Sequence, residues 1–320
     1  NNTISRFSGD DGNHIATWTP SGLSAPNYGY RLSDNTFLVA NGGDNTISRF
    51  NPFTGAFLGT VVGSSAGLNF PYQMAVGQDG NVFIANQNAG NVRRFNPTTG
   101  AMLPVVLSTT SPAGLVLDSE GRLYVTQNTS GGKLLRYSNA GVLEATLSTW
   151  PSGENPRGLA WGPDDRLYVN VRDGNSSVGR VDVITFPAGT RSTFVNLPAS
   201  SNPYTGIKWG PDGNLYVVDF GLSRVYIYSP LGSLIRTLTT SLSGPHAVAF
   251  TDCQPSTRDF GDMGAFAPAS STWNSSLRLG LECDTEATSR STTLANGDDI
   301  DDIDDEDGVT LPESITPGST

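Results

Sequence analysis

A short apolar phrase that returns five times is the feature that most constrains the fold of this chain. The copies occupy residues 37–41, 82–86, 123–127, 167–171 and 215–219, at intervals of 41 to 48 residues. A turn signal such as Gln78-Asp-Gly80 stands ahead of each copy. Self-similarity at this period is typical of solenoids and propellers, and the strand-like content of the repeat favours a propeller.

Each repeat can be divided into four short strands. The first strand follows a proline, at position 71, 112, 156, 203 or 245, where no ladder hydrogen bond is lost. An Asp-Gly type turn leads into the second strand, which is apolar throughout, as expected for a strand covered on both faces. Third strands are predicted at 45–50, 91–95, 133–137 and 224–228, and outer strands at 56–61, 143–147 and 233–238. The fold class is therefore all-β.

The two ends of the repeat region predict how the ring closes. Residues 1–7 nearly duplicate residues 44–50, so the chain starts at a third strand, with an outer strand expected at 14–19. Residues 244–251 supply a first strand with no partners after it. Five repeats and two fragments predict a six-bladed β-propeller over residues 1–252, closed by both termini. The second strand of the shared blade is not evident, and a start in mid-blade without methionine indicates a processed product.

The charge of the chain is unevenly distributed. Residues 1–251 carry a net charge of +1, whereas residues 252–320 carry −12. A nearly neutral propeller without a basic stripe argues against a nucleic-acid partner. No stretch approaches the roughly 18 consecutive apolar residues of a membrane span.

The acidity is concentrated in a loop-rich C-terminal segment, residues 253–310. Eight of the ten residues from 298 to 307 are acidic. Carboxylate oxygens are the preferred ligands of Ca²⁺, so this segment is predicted to bind calcium. The candidate ligands are Asp298, Asp299, Asp301, Asp302, Asp304, Asp305 and Asp307, with Asp259, Asp262, Asp284 and Glu286 completing the coordination. The run is not a helix-loop-helix calcium loop, because Ile303 occupies the first ligand position. The alternative is a solvated acidic linker.

Both cysteines of the chain, Cys253 and Cys283, fall in the same segment. Their isolation there predicts a disulfide that closes a 30-residue interval in an oxidising compartment. The alternative is a pair of unrelated free thiols.

Residues 26–251 resemble the NHL-type propellers. The resemblance is carried by phrases such as Pro156-Arg-Gly-Leu159, Gly210-Pro-Asp-Gly-Asn-Leu-Tyr-Val217 and Arg94-Phe-Asn-Pro-Thr-Thr-Gly100. The superfamily includes gluconolactonase-like and streptogramin-lyase-like enzymes. The resemblance implies a fold, while function depends on the site that the fold carries.

Residues 258–309 resemble a module of large secreted bacterial surface proteins. The matching features are Asp259-Phe-Gly-Asp262, Leu277-Arg-Leu-Gly280 and the acidic close that ends at Val309. Met263-Gly264 replaces the Ala-Pro usual after the opening, so that turn is expected to differ. In such proteins the close leads into β-sandwich modules, and residues 311–320 look like the start of a further module or a linker. The resemblance implies a secreted or cell-surface location.

The residues expected around the channel do not favour catalysis. Just before the glycine of each first strand, or its substitute, stand Tyr28, Tyr72, Ala113, Arg157, Thr205 and His246. This ring contains no carboxylate, so a Ca²⁺ or Zn²⁺ centre would lack hard anionic ligands. Of the two histidines, His14 belongs to an outer strand and only His246 is near the channel. No catalytic residue is predicted.

The same residues favour recognition. Tyr28, Tyr72, Arg157, Tyr204 and His246 are expected to gather at one mouth of the channel, and such residue types are enriched at binding hot spots. Polar residues at the ends of second strands are expected on the same face: Asn41, Asn86, Gln127, Asn170 and Asp219. Their alternative role is to cap turns.

The predicted function is that of a non-catalytic module of a larger secreted bacterial protein, which binds a glycan or a protein in adhesion, matrix or surface-assembly contacts. Two alternatives remain open at this point. One is a gluconolactonase-like or streptogramin-lyase-like enzyme, and the other is a passive spacer in an extracellular filament or layer.

Overall fold

The chain divides into two compact units, residues 1–250 and 251–320. The structure, a computed structural model, describes residues 2–9, 11–174, 178–187 and 189–251, and the backbone of 259–261 and 269–271. In the described residues no helix has the length and apolar character needed to cross a membrane.

The first unit is built from antiparallel strands. A two-stranded sheet comes first, formed by β1 (Ile4–Phe7) and β2 (His14–Trp18). The first blade contains β3 (Pro26–Arg31), β4 (Phe37–Asn41), β5 (Thr46–Phe50) and β6 (Phe57–Val62), and a short 3₁₀ turn, Ser64–Ala66, follows it. The second blade contains β7 (Pro71–Val76), β8 (Val82–Asn86), β9 (Asn91–Phe95) and β10 (Leu107–Ser108). The third contains β11 (Pro112–Leu117), β12 (Leu123–Gln127), β13 (Lys133–Tyr137) and β14 (Leu143–Thr149).

Two further blades complete the set of four-stranded sheets. The fourth contains β15 (Glu154–Trp161), β16 (Leu167–Asp173), β17 (Val178–Thr185) and β18 (Thr190–Ala199). The fifth contains β19 (Pro203–Trp209), β20 (Leu215–Asp219), β21 (Arg224–Tyr228) and β22 (Leu234–Leu238). In the second unit the described backbone forms one antiparallel pair, β23 (Asp259–Gly261) and β24 (Ala269–Ser271). The all-β propeller fold is confirmed.

Tight turns join the first and second strands of each blade because one turn residue adopts a left-handed conformation. That residue is a glycine in three blades, for example Gly80 at φ +74° and Gly213 at φ +74°. Asn35 and Asp165 take the same position in the other two blades, at φ +61° and +58°. Glycine adopts this region without a steric penalty, and Asn and Asp tolerate it, so the turn signal seen in the sequence has a direct conformational cause.

The core lies between the blades. All five residues of β8 are buried, and its side chains pack in clusters that also contain residues of the neighbouring blades. Glycines allow the first strands of successive blades to approach closely. A Cβ atom on Gly114 would lie 2.1 Å from the Arg157 carbonyl oxygen, and one on Gly158 would lie 2.1 Å from that of Thr205. In blades three and four the glycine of the Pro-x-Gly phrase is therefore required by the close packing of neighbouring first strands.

The prediction of six blades closed by both termini was wrong, since the described residues form five four-stranded blades. β1 and β2 pair as expected for a third and an outer strand, with Ile4 opposite Trp18. The predicted first strand, residues 244–251, is not a strand. A strand requires a ladder partner, and among the described residues no second strand lies between this segment and β1.

The segment 245–250 nevertheless packs as a first strand would. Phe250 stacks edge-on against Tyr216 with 4.8 Å between ring centroids. Val248 and Phe250 pack on the apolar cluster of the fifth blade, and Ala247 packs on the cluster that the first and second blades share. The segment thus connects the fifth blade to the start of the ring through side-chain packing, without the hydrogen-bonded ladder that would make it part of a blade.

Candidate functional site

Each first strand begins with a bulge immediately after its proline. In β7, for example, Pro71 is opposite Asn86 and the next paired residue is Met74. The register shifts in the same place in β11, β15 and β19. A bulge leaves residues unpaired and re-aims their side chains. At one end of the channel, the propeller therefore presents side chains that the ladder does not constrain.

Residues in these bulges contact one another across the channel. The hydroxyl groups of Tyr72, in the second blade, and Tyr204, in the fifth, are hydrogen-bonded to each other. Gln73, also in the second blade, donates to the carbonyl oxygen of Leu159 at 2.7 Å and accepts the Leu159 N–H at 3.0 Å. These contacts join blades that are not adjacent in the chain, so side chains close the channel at this level.

Tyr204 is the centre of the site. Its ring centroid lies 4.4 Å from that of His246, 5.5 Å from that of Phe220 and 5.6 Å from that of Tyr72. The guanidinium carbon of Arg157 lies 4.8 Å from the same centroid, within the range of a cation–π contact. We call these five residues, Tyr72, Arg157, Tyr204, Phe220 and His246, the mouth cluster.

Arg157 is a buried cation that has no acidic partner in the described part of the chain. Only 7% of the residue is exposed. Nε donates to Asn128 Oδ1 at 3.3 Å, and Nη1 donates to Asn202 Oδ1 at 3.1 Å and to the Pro203 carbonyl at 3.2 Å. All three acceptors are neutral. Burial lowers the pKa of Arg157. The charges of Tyr204 and Tyr72 oppose this shift, whereas the charge of Arg172 adds to it.

His246 is a neutral ring with an unused polar atom. Its Nδ1 is buried and has no hydrogen-bond partner among the described residues. Burial lowers the pKa of His246 to about 4, and the charge of Arg157 acts in the same direction. The ring is therefore uncharged at neutral pH. It makes edge contacts with Tyr204 and Phe220.

Tyr28 does not belong to the mouth cluster, although the sequence placed it there. Tyr28 pairs with Ala40 in the ladder, which gives it the position that Gln73 has in the second blade. It is 5% exposed, packs in the apolar cluster that the first and second blades share, and its pKa is raised by burial. The residue of the first blade that matches Tyr72 is Asn27, which donates to the Pro71 carbonyl at 3.0 Å. The bulge of the first blade is shorter than the others, and the sequence does not reveal this difference.

Three of the predicted polar residues anchor loops of their own blade. Asn41 donates to the Gly22 carbonyl at 2.9 Å, and Asn86 donates to the Gly67 carbonyl at 3.2 Å. Asp219 accepts the N–H groups of Asn202 and Gly221, both at 2.9 Å. All three side chains are fully buried. Their polar atoms are used by the protein itself, which is the turn-capping role.

Asn170 has a different role, because it acts on the neighbouring blade. Its Nδ2 donates to the Tyr204 carbonyl at 3.0 Å and to the Gly206 carbonyl at 3.2 Å. Thr126, at the same position of the third blade, donates to the Arg157 carbonyl. These two side chains position the backbone that carries Arg157 and Tyr204. Gln127 donates to Thr109 Oγ1 at 3.0 Å, within its own blade.

Sequence reasoning missed four polar or aromatic residues of the site: Gln73, Asn128, Asn202 and Phe220. Asn128, Asn202 and Phe220 lie just outside the strands, where the repeat carries no recognisable phrase. Gln73 follows Tyr72, and only the bulge brings it into the channel. A comparison of the five copies at this register would have found it, since three of them carry glycine there.

The side-chain positions of the predicted calcium ligands and of the two cysteines are not described by the structure. Cys253 and Cys283 lie outside the described residues, as do the acidic residues 298–307, Asp262, Asp284 and Glu286. Asp259 contributes only its backbone, to β23. In the described part of the chain, no group of three His, Cys, Asp or Glu side chains is arranged to hold a metal ion.

Comparisons with known proteins show the fold. No protein-family model and no curated protein matches the chain. A chain of a nidogen–laminin complex matches with a TM-score of 0.62 and 17% identity, over 77% of this chain and 91% of that one. Gluconolactonase from Xanthomonas campestris matches with a TM-score of 0.57 and 16% identity, over 69% and 78%. An inactive virginiamycin B lyase variant from Staphylococcus aureus with quinupristin matches with a TM-score of 0.53 and 15% identity, over 77% of each chain.

Proposed function

We propose that this chain is a non-catalytic recognition module of a secreted or surface-attached bacterial protein, which binds a protein or a glycan at the mouth cluster. The observation that carries the proposal is Arg157, a buried cation that lies over an aromatic ring at the channel mouth and whose hydrogen-bond partners among the described residues are all neutral. Arginine, tyrosine and other aromatic residues at the centre of a patch are the usual anchors of binding.

The accessible part of the cluster supports the proposal. Phe220 remains 39% exposed although its ring contacts both Tyr204 and His246. The exposed ring of Phe220 offers apolar contact area, and the buried polar groups of the cluster beside it offer directional hydrogen bonds. This combination of apolar area with a few convergent polar groups is typical of recognition surfaces.

The structural neighbours allow more than one function. One neighbour comes from a complex of nidogen with laminin, and two others are a lyase and a gluconolactonase. Function therefore depends on the site of this chain. The mouth cluster contains no carboxylate, and Asp219, which lies nearby in the chain, uses Oδ1 to accept backbone N–H groups. Recognition fits this set of residues better than metal-assisted hydrolysis does.

Binding can be tested with glycan arrays and with extracellular protein fractions, using the whole chain. We expect Phe220→Ala to weaken binding at least about tenfold, as for a hot-spot residue. Phe57→Ala is a matched control, because Phe57 is 37% exposed and lies on β6 of the first blade. Equal affinity of the two variants would contradict the proposal, and absence of any bound partner would favour the passive-spacer alternative.

The proposal includes calcium binding by the acidic segment. Eight like charges within residues 298–307 repel one another unless cations or basic groups neutralise them, and residues 252–320 contain only three basic residues. We expect calorimetric heat of calcium binding that falls in Asp301→Asn and Asp304→Asn variants. No heat at millimolar calcium would leave the acidic-linker alternative.

The proposed secreted location, an oxidising compartment, predicts a disulfide between Cys253 and Cys283. Alkylation of the protein under non-reducing conditions, followed by intact-mass measurement, should leave both cysteines unlabelled. Labelling of both thiols in freshly isolated protein would contradict an oxidising compartment.

A lyase or lactonase activity is the second candidate, favoured by one observation. His246 is uncharged at neutral pH and its Nδ1 has no partner among the described residues, so the ring is available as a general base. Turnover of quinupristin or of a lactone that is lost in His246→Ala would establish this candidate and remove the non-catalytic one.

A further inference from the structure

The environment of Arg157 is incomplete in a specific way. A buried cation is normally paired with a carboxylate, because three neutral hydrogen bonds do not replace its hydration. Among the described residues Arg157 donates through Nε and Nη1 only, and no hydrogen bond from Nη2 is present. The guanidinium group thus keeps two N–H donors for a ligand.

The charges around Arg157 increase its need for an anion. The ionisable groups that shift the pKa of Arg157 are Tyr204, Tyr72 and Arg172, and no aspartate or glutamate is among them. Arg172 has the same sign as Arg157. Arg191 offers an instructive contrast in the fourth blade. It also lies over an aromatic ring, that of Trp150 at 4.9 Å, but Asp182 lies 3.9 Å from its Nε.

The geometry of the rings limits what can carry the anion. Tyr204 is surrounded at 4.4 to 5.6 Å by Tyr72, Phe220, His246 and the Arg157 guanidinium. A sugar ring requires an open aromatic face for stacking, whereas a slender side chain requires only a gap between ring edges. Beside Tyr204 and Arg157, a single carboxylate on a short stem therefore fits better than a saccharide does.

We infer that the mouth cluster binds an aspartate or glutamate side chain on a loop of a partner protein, with Arg157 as the group that binds the carboxylate. This inference rests on the recognition function proposed above and narrows its ligand. Charge-assisted bonds from Nη2 hold the carboxylate. His246 supplies a second donor in the tautomer that carries the proton on Nδ1. Phe220 packs against the apolar part of the loop.

The test uses three small probes with the full chain labelled with ¹⁵N-arginine. They are N-acetyl-aspartate N-methylamide (the aspartate probe), its asparagine analogue, and methyl glucuronide. We expect the aspartate probe to shift the Arg157 Nε–H resonance in a saturable manner and the asparagine analogue to bind at least about tenfold more weakly, because only the former supplies a charge-assisted bond. Equal binding of the two would overturn the inference.

Variants separate the charge from the shape of the site. In uniformly ¹⁵N-labelled protein, where the backbone N–H of Tyr204 reports binding, Arg157→Met should abolish the binding of the aspartate probe. Arg157→Lys should retain part of it because the charge remains. Arg191→Met is the matched control and should bind as the wild type does. If Arg157→Met does not fold, Arg157→Lys and the aspartate–asparagine difference still decide the outcome.

The remaining outcomes distinguish this inference from the proposed function. Tighter binding of methyl glucuronide than of the aspartate probe would identify a glycan and overturn the inference. A natural partner that binds Arg157→Met as well as wild type, yet loses affinity for Phe220→Ala, would preserve the recognition function and overturn the role of Arg157. No saturable shift with any probe at high millimolar concentration would also contradict it.

Discussion

The two ends of the first strands differ in how closely the side chains and contacts of one blade are repeated in the next. At the end opposite the mouth, the same contact recurs between a blade and the segment that follows it: Tyr124 with Trp161 at 5.1 Å, Tyr168 with Trp209 at 5.0 Å, and Tyr216 with Phe250, outside the blades, at 4.8 Å. Each of these tyrosines also donates to the aspartate of its own turn, at 3.2, 2.9 and 2.9 Å. At the mouth, the residue that directly follows the proline of the first strand differs from blade to blade: Asn27, Tyr72, Ala113, Arg157 and Tyr204.

This difference separates packing from recognition. A contact that recurs in the third, fourth and fifth blades satisfies a requirement that these blades share, which is to bury the surface that each one presents to the next segment of the ring. At the mouth the residue type differs from blade to blade, so packing against the next blade does not determine it. The mouth positions are also released from the ladder by the bulges, so their side chains are free to serve a ligand.

The largest effect is expected at the repeating end. Tyr168→Ala removes a fully buried ring that contacts both Trp209 and Phe194, and should lower the free energy of unfolding by about 3 to 5 kcal/mol. Urea denaturation measures this change. Tyr168→Phe keeps the ring and loses only the hydrogen bond to Asp164, at a cost of about 1 kcal/mol. A loss below that value in Tyr168→Ala would mean that the repeated contact does not stabilise the ring of blades.

A smaller effect is expected where first strands touch each other. Gly158→Ala places a Cβ atom 2.1 Å from the Thr205 carbonyl oxygen and should cost about 1 to 3 kcal/mol in unfolding free energy. Gly29→Ala makes the same change in β3, where no atom lies within 4 Å, and should stay within about 0.5 kcal/mol of wild type. Similar losses in the two variants would show that close packing of first strands is not what the glycine provides.

The strands were predictable from the sequence where one repeat unit suffices to specify them. The second strands at 82–86, 123–127 and 215–219 match their predictions residue by residue, because an apolar run and a glycine-containing turn ahead of it define each strand locally. Residues 244–251 were not predictable in this way. Their sequence suits a first strand, but strand formation depends on a partner elsewhere in the chain.

The site was predictable only in part, for a related reason. Arg157 and Tyr204 could be found because each follows the proline that marks its blade. Tyr28 was misplaced, since the length of the bulge depends on tertiary packing. Asn128 and Asn202 orient Arg157 from loops that have no repeated pattern.

The smallest stability effect is expected from protonation of His246 at the mouth. Its folded-state pKa, about 4, lies below the ordinary value of 6.5, so the unfolded chain takes up the proton first as the pH falls. Stability is therefore complete above pH 6.5, decreases between pH 6.5 and about 4 by on the order of 1 kcal/mol for this partly exposed ring, and then levels off. His246→Phe should remove this decrease in stability between pH 6.5 and about 4, because phenylalanine takes up no proton. Identical pH profiles for the two proteins in that window would contradict a buried neutral histidine.

The most direct test measures affinity and stability together in one variant from each end. Arg157→Met should abolish binding of the aspartate probe while the free energy of unfolding stays within about 1 kcal/mol, because the lost hydrogen bonds are offset by removal of a buried charge. Tyr168→Phe should lower the free energy of unfolding by about 1 kcal/mol and bind the probe as the wild type does. Unchanged probe binding in Arg157→Met, or an equal loss of binding in both variants, would contradict the division between a packing end and a recognition end.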